Sequence, residues 1–328
     1  MSKSSRMITP DPVPQAQSQP RFNPVLVLSL AILAASTSSI FVRYAQRDAG
    51  SLVIAALRLS FATLILLPLR WSRRGRVVGV SSRRQLGWIL TAGLLLAVHF
   101  ASWISSLEYT SVASSVVLVQ TSPLFVALFS PLLLQEVPRP AAWIGLLIAL
   151  AGGVLIAGGD LCSTGPILEC LRSQELVNVR VLVGDSLALV GGISGAGYLM
   201  VGRRLRNRID LLPYITWVYG SAAAALLTLV WILRLPLTGY HPETYLLFLL
   251  LAIFPQLLAH SGYNWALRYL PASLVSISLL GEPIAAAMLA LLLLGEIPPI
   301  LRVFGAALVL SGIILALRNK AAPPLPET

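Results

Sequence analysis

The chain has 328 residues, 56% of them hydrophobic and 11% charged, with a net charge of +11 and a mean hydropathy of +0.81. That balance excludes an ordinary water-soluble domain. Its arginines fall in short stretches between apolar runs, where they orient membrane spans, so the charge gives no reason to expect a nucleic-acid partner.

Residues 1–23 are polar, rich in Pro, Ser and Gln, and lack the apolar core of a signal peptide, which predicts a disordered tail. Ten apolar segments follow, at about 24–46, 51–70, 86–107, 111–134, 141–159, 182–202, 212–234, 243–266, 272–294 and 299–318. Each is long enough to cross a hydrocarbon core of about 30 Å, and each is expected to do so as an α-helix, because an open strand leaves backbone groups unpaired in lipid. The expected class is an all-α integral membrane protein with ten transmembrane helices.

The second segment carries Arg58, roughly 10 Å in at about 1.5 Å per residue, placed either to pair with backbone carbonyls or to attract an anionic group of a substrate. The third sets His99, Trp103 and Ser106 at i, i+4 and i+7, on one helical face. In the fourth, Gln120 precedes Pro123, whose ring frees the Val119 carbonyl either to line a cavity or simply to kink the helix. Cys162 and Cys170, in the loop at 160–181, are eight positions apart with Gly165 and Pro166 between them, a spacing that allows a disulfide on an oxidising side of the membrane. In the sixth segment Ser194 and Tyr198 share a face beside "GGISGAG", which reads as a close-packing surface. The eighth aligns Gln256, His260, Tyr263 and Asn264 at i, i+4, i+7 and i+8, as cavity lining or as hydrogen-bonding glue between helices.

The ninth segment, "SLLGEPIAAAMLALLLLGEIPP", holds Glu282 between Gly281 and Pro283 near mid-span. A carboxylate at that depth needs water, a partner or a proton, and Pro283 is expected to leave the Leu279 carbonyl free, which together predict a broken, wetted helix. Proton exchange at Glu282 is the leading expectation, with a structural carboxyl or direct substrate contact as the other readings. Residues 319–328 form a second tail.

Placing the N-terminus inside puts 17 of the 24 Lys and Arg residues in the cytoplasm, six outside and Arg58 within a span. The positive-inside rule therefore predicts that both termini are cytoplasmic. A shift of 160 residues lays "VQTSPLFVALFSPLLLQEVPR" on "LLGEPIAAAMLALLLLGEIPP", with Pro123 on Pro283, Glu136 on Glu296, Gly145 on Gly305 and Gly152 on Gly312. Five spans were duplicated. Because five is odd, the second copy enters the membrane inverted.

The paired stretches "LEYTSVASSVVLVQTSPLFVALFSPLLLQEVP" and "LRYLPASLVSISLLGEPIAAAMLALLLLGEIP", with "ALRLSFATLILLPL" in the second span, resemble the EamA-like branch of the drug/metabolite transporter superfamily over about residues 25–318. The resemblance implies two inverted five-helix repeats, 24–159 and 182–318, joined by an extracytoplasmic loop at 160–181, in a bacterial inner membrane. It implies export of a small metabolite, such as an amino acid or a drug-like compound, through a central cavity. The first span departs from the family pattern, with "ASTSS" where relatives often carry an aromatic and an asparagine. Candidate substrate residues are His99, Trp103, Gln120, Tyr198, His260, Tyr263 and Asn264, with Glu282 for proton coupling. No cofactor, metal or catalytic group is expected, and the partners are a small solute, protons and membrane lipid. Lys3 and Lys320 lie outside any Gly-rich loop, so the chain offers no phosphate-binding lysine for a pump. The alternatives are a non-transporting receptor or scaffold and a membrane-embedded enzyme, the latter lacking a clustered pair of acids.

Overall fold

The structure is a computed structural model, described here over residues 20, 22–73, 75, 77–110, 112–161, 179–294 and 300–318. Every regular element among these residues is helical. The chain runs through α1 (Pro24–Ala35), α2 (Ser38–Ala45), α3 (Ser51–Ser72), α4 (Arg83–Tyr109), α5 (Val112–Val119), α6 (Ser122–Leu134) and α7 (Pro140–Leu161). It continues through α8 (Val179–Arg206), α9 (Leu211–Ile232), α10 (Pro242–Leu251), α11 (Ser261–Ala266), α12 (Ala272–Ser278), α13 (Glu282–Leu294) and α14 (Ile300–Arg318). Among the described residues seven helical stretches are long and apolar enough to cross a membrane, and three shorter apolar helices, Pro140–Leu155, Ala272–Ala285 and Val303–Ala316, accompany them.

Burial runs opposite to that of a water-soluble protein. Leu132, Trp231 and Leu292 are among the most exposed large side chains, whereas Arg58, Gln256 and Asn264 are fully buried. Apolar groups outside and polar groups inside suit a lipid environment, where polar side chains turn to the bundle interior.

Local chemistry starts, stops and breaks the helices. The Asn23 side chain accepts the Val25 N–H (2.9 Å) ahead of Pro24, and Ser82 accepts the Gln85 N–H (3.2 Å), so α1 and α4 begin with capped donors. The first apolar segment breaks between α1 and α2, where the Ser36 and Thr37 hydroxyls donate to the Leu33 and Ala34 carbonyls (2.7 and 2.8 Å). The fourth breaks between Val119 and Ser122. The ninth breaks at a 3₁₀ turn, Leu279–Gly281, and α13 begins at Glu282. Between α10 and α11 the eighth segment winds as a π-helix, Ala252–His260, in which Ser261 N–H reaches the Gln256 carbonyl and Pro255 supplies no donor.

Glycines decide how closely the long helices approach. A Cβ built on Gly145 lies 2.5 Å from the Gly312 carbonyl oxygen, and one on Gly152 lies 2.6 Å from that of Gly305. Gly145 therefore faces Gly312 and Gly152 faces Gly305, so α7 and α14 run antiparallel with their backbones in direct contact. On the other side of the bundle, α8 packs along α4. There Gly191 meets Trp103, Gly195 meets the His99 ring and Gly197 meets Leu95, so "GGISGAG" is a packing surface.

Candidate functional site

The three breaks and the π-helix face one another across a cavity of about 130 Å³. One buried water needs roughly 10–15 Å³ by this measure, so there is room for a small solute. His99, Trp103, Gln120, Tyr198, His260, Tyr263 and Glu282 all line it.

Asn264 does not. It is fully buried behind the wall, its Nδ2 donating to the Tyr198 hydroxyl and to the His260 carbonyl (2.7 Å). The π-helix moves Gln256 off the face expected from α-helical winding, whereas Asn264 follows it in α-helix and lies at the edge of the arc shared by His260 and Tyr263. Gln256 turns toward α3, His260 and Tyr263 reach the cavity, and Asn264 braces Tyr198 from behind. Cys162 and Cys170, the expected disulfide, lie outside the described residues.

Glu282 sits at the break in the ninth segment, where the 3₁₀ turn changes the expected backbone chemistry. The Leu279 carbonyl is not free, because the Glu282 N–H donates to it. The carboxylate takes its hydrogen bond from the Tyr263 hydroxyl, 2.9 Å from Oε1. It joins no ion pair among the described residues. Ser122, 160 residues earlier, lines the same cavity at the corresponding break.

Rings make up much of the rest of the wall. His99 stacks on Trp103 (centroids 6.3 Å apart, 13° between planes), while His260 meets the edges of Phe100 (5.1 Å) and Tyr263 (5.6 Å). His99 Nδ1 lies 2.8 Å from the Gly191 carbonyl. A carbonyl only accepts, so Nδ1 carries the hydrogen and a neutral ring offers Nε2 as an acceptor. Trp103 Nε1, Gln120 Nε2 and His260 Nδ1 are buried with no hydrogen-bond partner. Buried polar atoms are normally paired, and these three, without a partner among the described residues, belong to side chains that line the cavity.

Sequence reasoning left Arg58 undecided and did not single out Ser36, Ser38, Ser39 or Phe100, all of which line the cavity. Arg58 uses side-chain acceptors, not backbone carbonyls: Nε donates to Gln256 Oε1 (3.1 Å) and Nη1 to Ser38 Oγ (3.3 Å). The hydroxyl cluster "STSS" was the available signal for the first break, since such side chains compete for helix carbonyls.

Away from the cavity, Glu136 follows the end of α6, accepts from Arg203 Nε (2.6 Å) and caps Ala272 N–H (3.3 Å). Arg203 Nη1 also donates to the Leu267 carbonyl (2.8 Å), and Arg43 Nη1, 160 residues earlier, donates to the Leu107 carbonyl at the same distance.

Residues 23–158 and 182–318 match the model of a protein family described as the EamA-like transporter family. Among curated relatives, an uncharacterized transporter of Archaeoglobus fulgidus is 26% identical, covering 88% of this chain and 96% of its own length. The inner membrane protein YtfF of Escherichia coli is 25% identical over 81% of this chain and 86% of its own. The pseudopaline exporter CntI of Pseudomonas aeruginosa is 26% identical over 62% and 65%. One crystal structure superposes with a TM-score of 0.72 over 89% of this chain and 96% of the other, at 20% identity, a likeness of fold.

Proposed function

The chain belongs to the EamA-like transporter family and is an integral membrane transporter, and from that premise we propose that it is a secondary transporter exporting a small metabolite in exchange for protons. The cavity is the transport site and Glu282 the residue that takes and gives the proton. One observation carries this reading: among the described residues, a carboxylate hydrogen-bonded only to a tyrosine hydroxyl shares a cavity wall with Trp103, Gln120 and His260, whose side chains each hold a buried polar atom without a partner. An acid that was purely structural would be expected to find its partners within the protein.

The proposed architecture is ten spans in two inverted five-helix repeats, 24–159 and 182–318, with 160–181 outside the cell membrane and both termini in the cytoplasm. The antiparallel contact of α7 with α14 supports inversion, since residues 160 apart exchange places across it: Gly145 with Gly312, and Gly305 with Gly152. The paired bonds of Arg43 and Arg203 support it too. Basic-residue placement and a relative named as an inner membrane protein support an inner-membrane location with cytoplasmic ends. Export is favoured by a relative named as an exporter.

The test is metabolite profiling of culture medium from cells that overexpress the protein, that lack it, or that overexpress His260→Ala. A small solute should accumulate outside the first strain at least severalfold over both others. An unchanged external profile, with the protein demonstrably in the membrane, contradicts transport and favours a receptor.

A further inference from the structure

Arg58 enters the cavity wall from α3 and is 1% exposed. Its described contacts are all neutral: Gln256 Oε1, Ser38 Oγ and the face of Phe100, whose centroid lies 4.0 Å from the guanidinium carbon. It forms no ion pair among the described residues, and Nη2 takes part in none of its hydrogen bonds. Arginine keeps its charge in proteins, and a desolvated charge without a counter-ion is costly. Gln256 is committed to holding it, because its Oε1 is engaged while its Nε2 is buried and unpartnered. The guanidinium is thus fixed in place, and no acid among the described residues forms an ion pair with it; Glu282, which lines the same cavity, acts on it only through space.

We propose that Arg58 is a carboxylate-binding subsite and that the solute carried by this protein is a small carboxylic acid with an apolar or aromatic remainder. This rests on the reading of the cavity as the transport site. Among the described residues Arg58 is the sole arginine or lysine on that wall. A single planar guanidinium suits a monoanionic carboxylate, which can take Nη2 and the adjacent serine hydroxyls, whereas a phosphate calls for more positive charge. His99, Phe100, Trp103 and His260 form the aromatic side, and Trp103 Nε1 and Gln120 Nε2, without partners among the described residues, are donors suited to an acceptor-rich solute. When Glu282 holds its proton the subsite works against organic cations, which would meet the guanidinium as a like charge.

Purified full-length protein in detergent is titrated with phenylacetate and with phenethylammonium, which share a ring and differ in charge, and binding is read from the melting temperature and tryptophan fluorescence. Phenylacetate should bind at least tenfold more tightly than phenethylammonium, and Arg58→Gln should weaken phenylacetate at least tenfold. If Arg58→Gln does not fold, Arg58→Lys keeps the charge but loses the planar fork, and should weaken phenylacetate severalfold. Equal or tighter binding of phenethylammonium, unchanged phenylacetate affinity in the variant that folds, or no binding of phenylacetate overturns the subsite. The medium profile separates the two readings. An exported solute without phenylacetate binding keeps the transporter and removes the subsite, whereas Arg58-dependent phenylacetate binding with no exported solute does the reverse.

Discussion

Two pairs of elements lie 160 residues apart and treat that relation differently. At the α7–α14 crossing the two members are alike, with Gly145 and Gly152 in one helix facing Gly312 and Gly305 in the other. At the helix breaks the register is kept, since α6 starts at Ser122 and α13 at Glu282, but the chemistry is not. The second break has a carboxylate and a tyrosine hydroxyl that meet. The first has Ser122 and, in the position matching Tyr263, Trp103, whose Nε1 has no partner. Likeness is retained where backbones must touch, because only a missing side chain permits the approach. Difference is concentrated where a solute would sit.

The largest effect is expected at the alike pair. In Gly312→Leu the new side chain meets the Gly145 carbonyl and Ala149 N and Cβ (2.8 and 2.9 Å), backbone and near-backbone atoms that cannot rotate away. Overpacking of this kind costs about 3 kcal/mol or more. Size-exclusion profiles and melting temperature should show loss of monodisperse protein, and an unchanged melting temperature would mean the crossing is looser than described. Next comes Tyr263→Phe, which removes the one donor to the Glu282 carboxylate among the described residues while keeping the ring. Transport in liposomes should fall roughly tenfold, in keeping with the loss of a hydrogen bond to a charged group worth about 1.5–3 kcal/mol, and its dependence on an imposed pH gradient should change. The smallest effect belongs to Ser122→Ala, which should transport within about twofold of the parent. A loss as large as that of Tyr263→Phe would erase the distinction between the breaks.

The helices and most of the wall were legible in the sequence for physical reasons. Apolar runs of spanning length have few options in lipid, and the described residues of those segments are mostly helical, with interruptions at 36–37 and 120–121 and a 3₁₀ turn at Leu279–Gly281. The i, i+4 spacing of His99 and Trp103 placed them on one face, and the structure stacks them. Gln256 left the expected face because periodicity presumes one winding, and the π-helix around it changes the phase. Pro255 was the visible warning, though a proline announces a disturbance without saying which kind. The orientation of Arg58 depends on Gln256, 198 positions away, a distance at which spacing rules say nothing. Likewise, the Leu279 carbonyl stayed paired because a 3₁₀ turn offered another donor, which a count of i−4 bonds does not foresee.

The claim that Glu282 is the proton site is tested most directly by solute movement in liposomes holding purified protein and an internal pH dye, with an imposed pH gradient, for the parent and Glu282→Gln. The solute is the one identified by medium profiling. The account predicts that the parent moves solute and protons in opposite directions at a fixed ratio, while Glu282→Gln, folded by its melting temperature, loses gradient-driven movement at least tenfold and moves no protons with solute. A variant that keeps the full rate and the same dependence on the gradient contradicts the account and makes Glu282 a structural carboxyl.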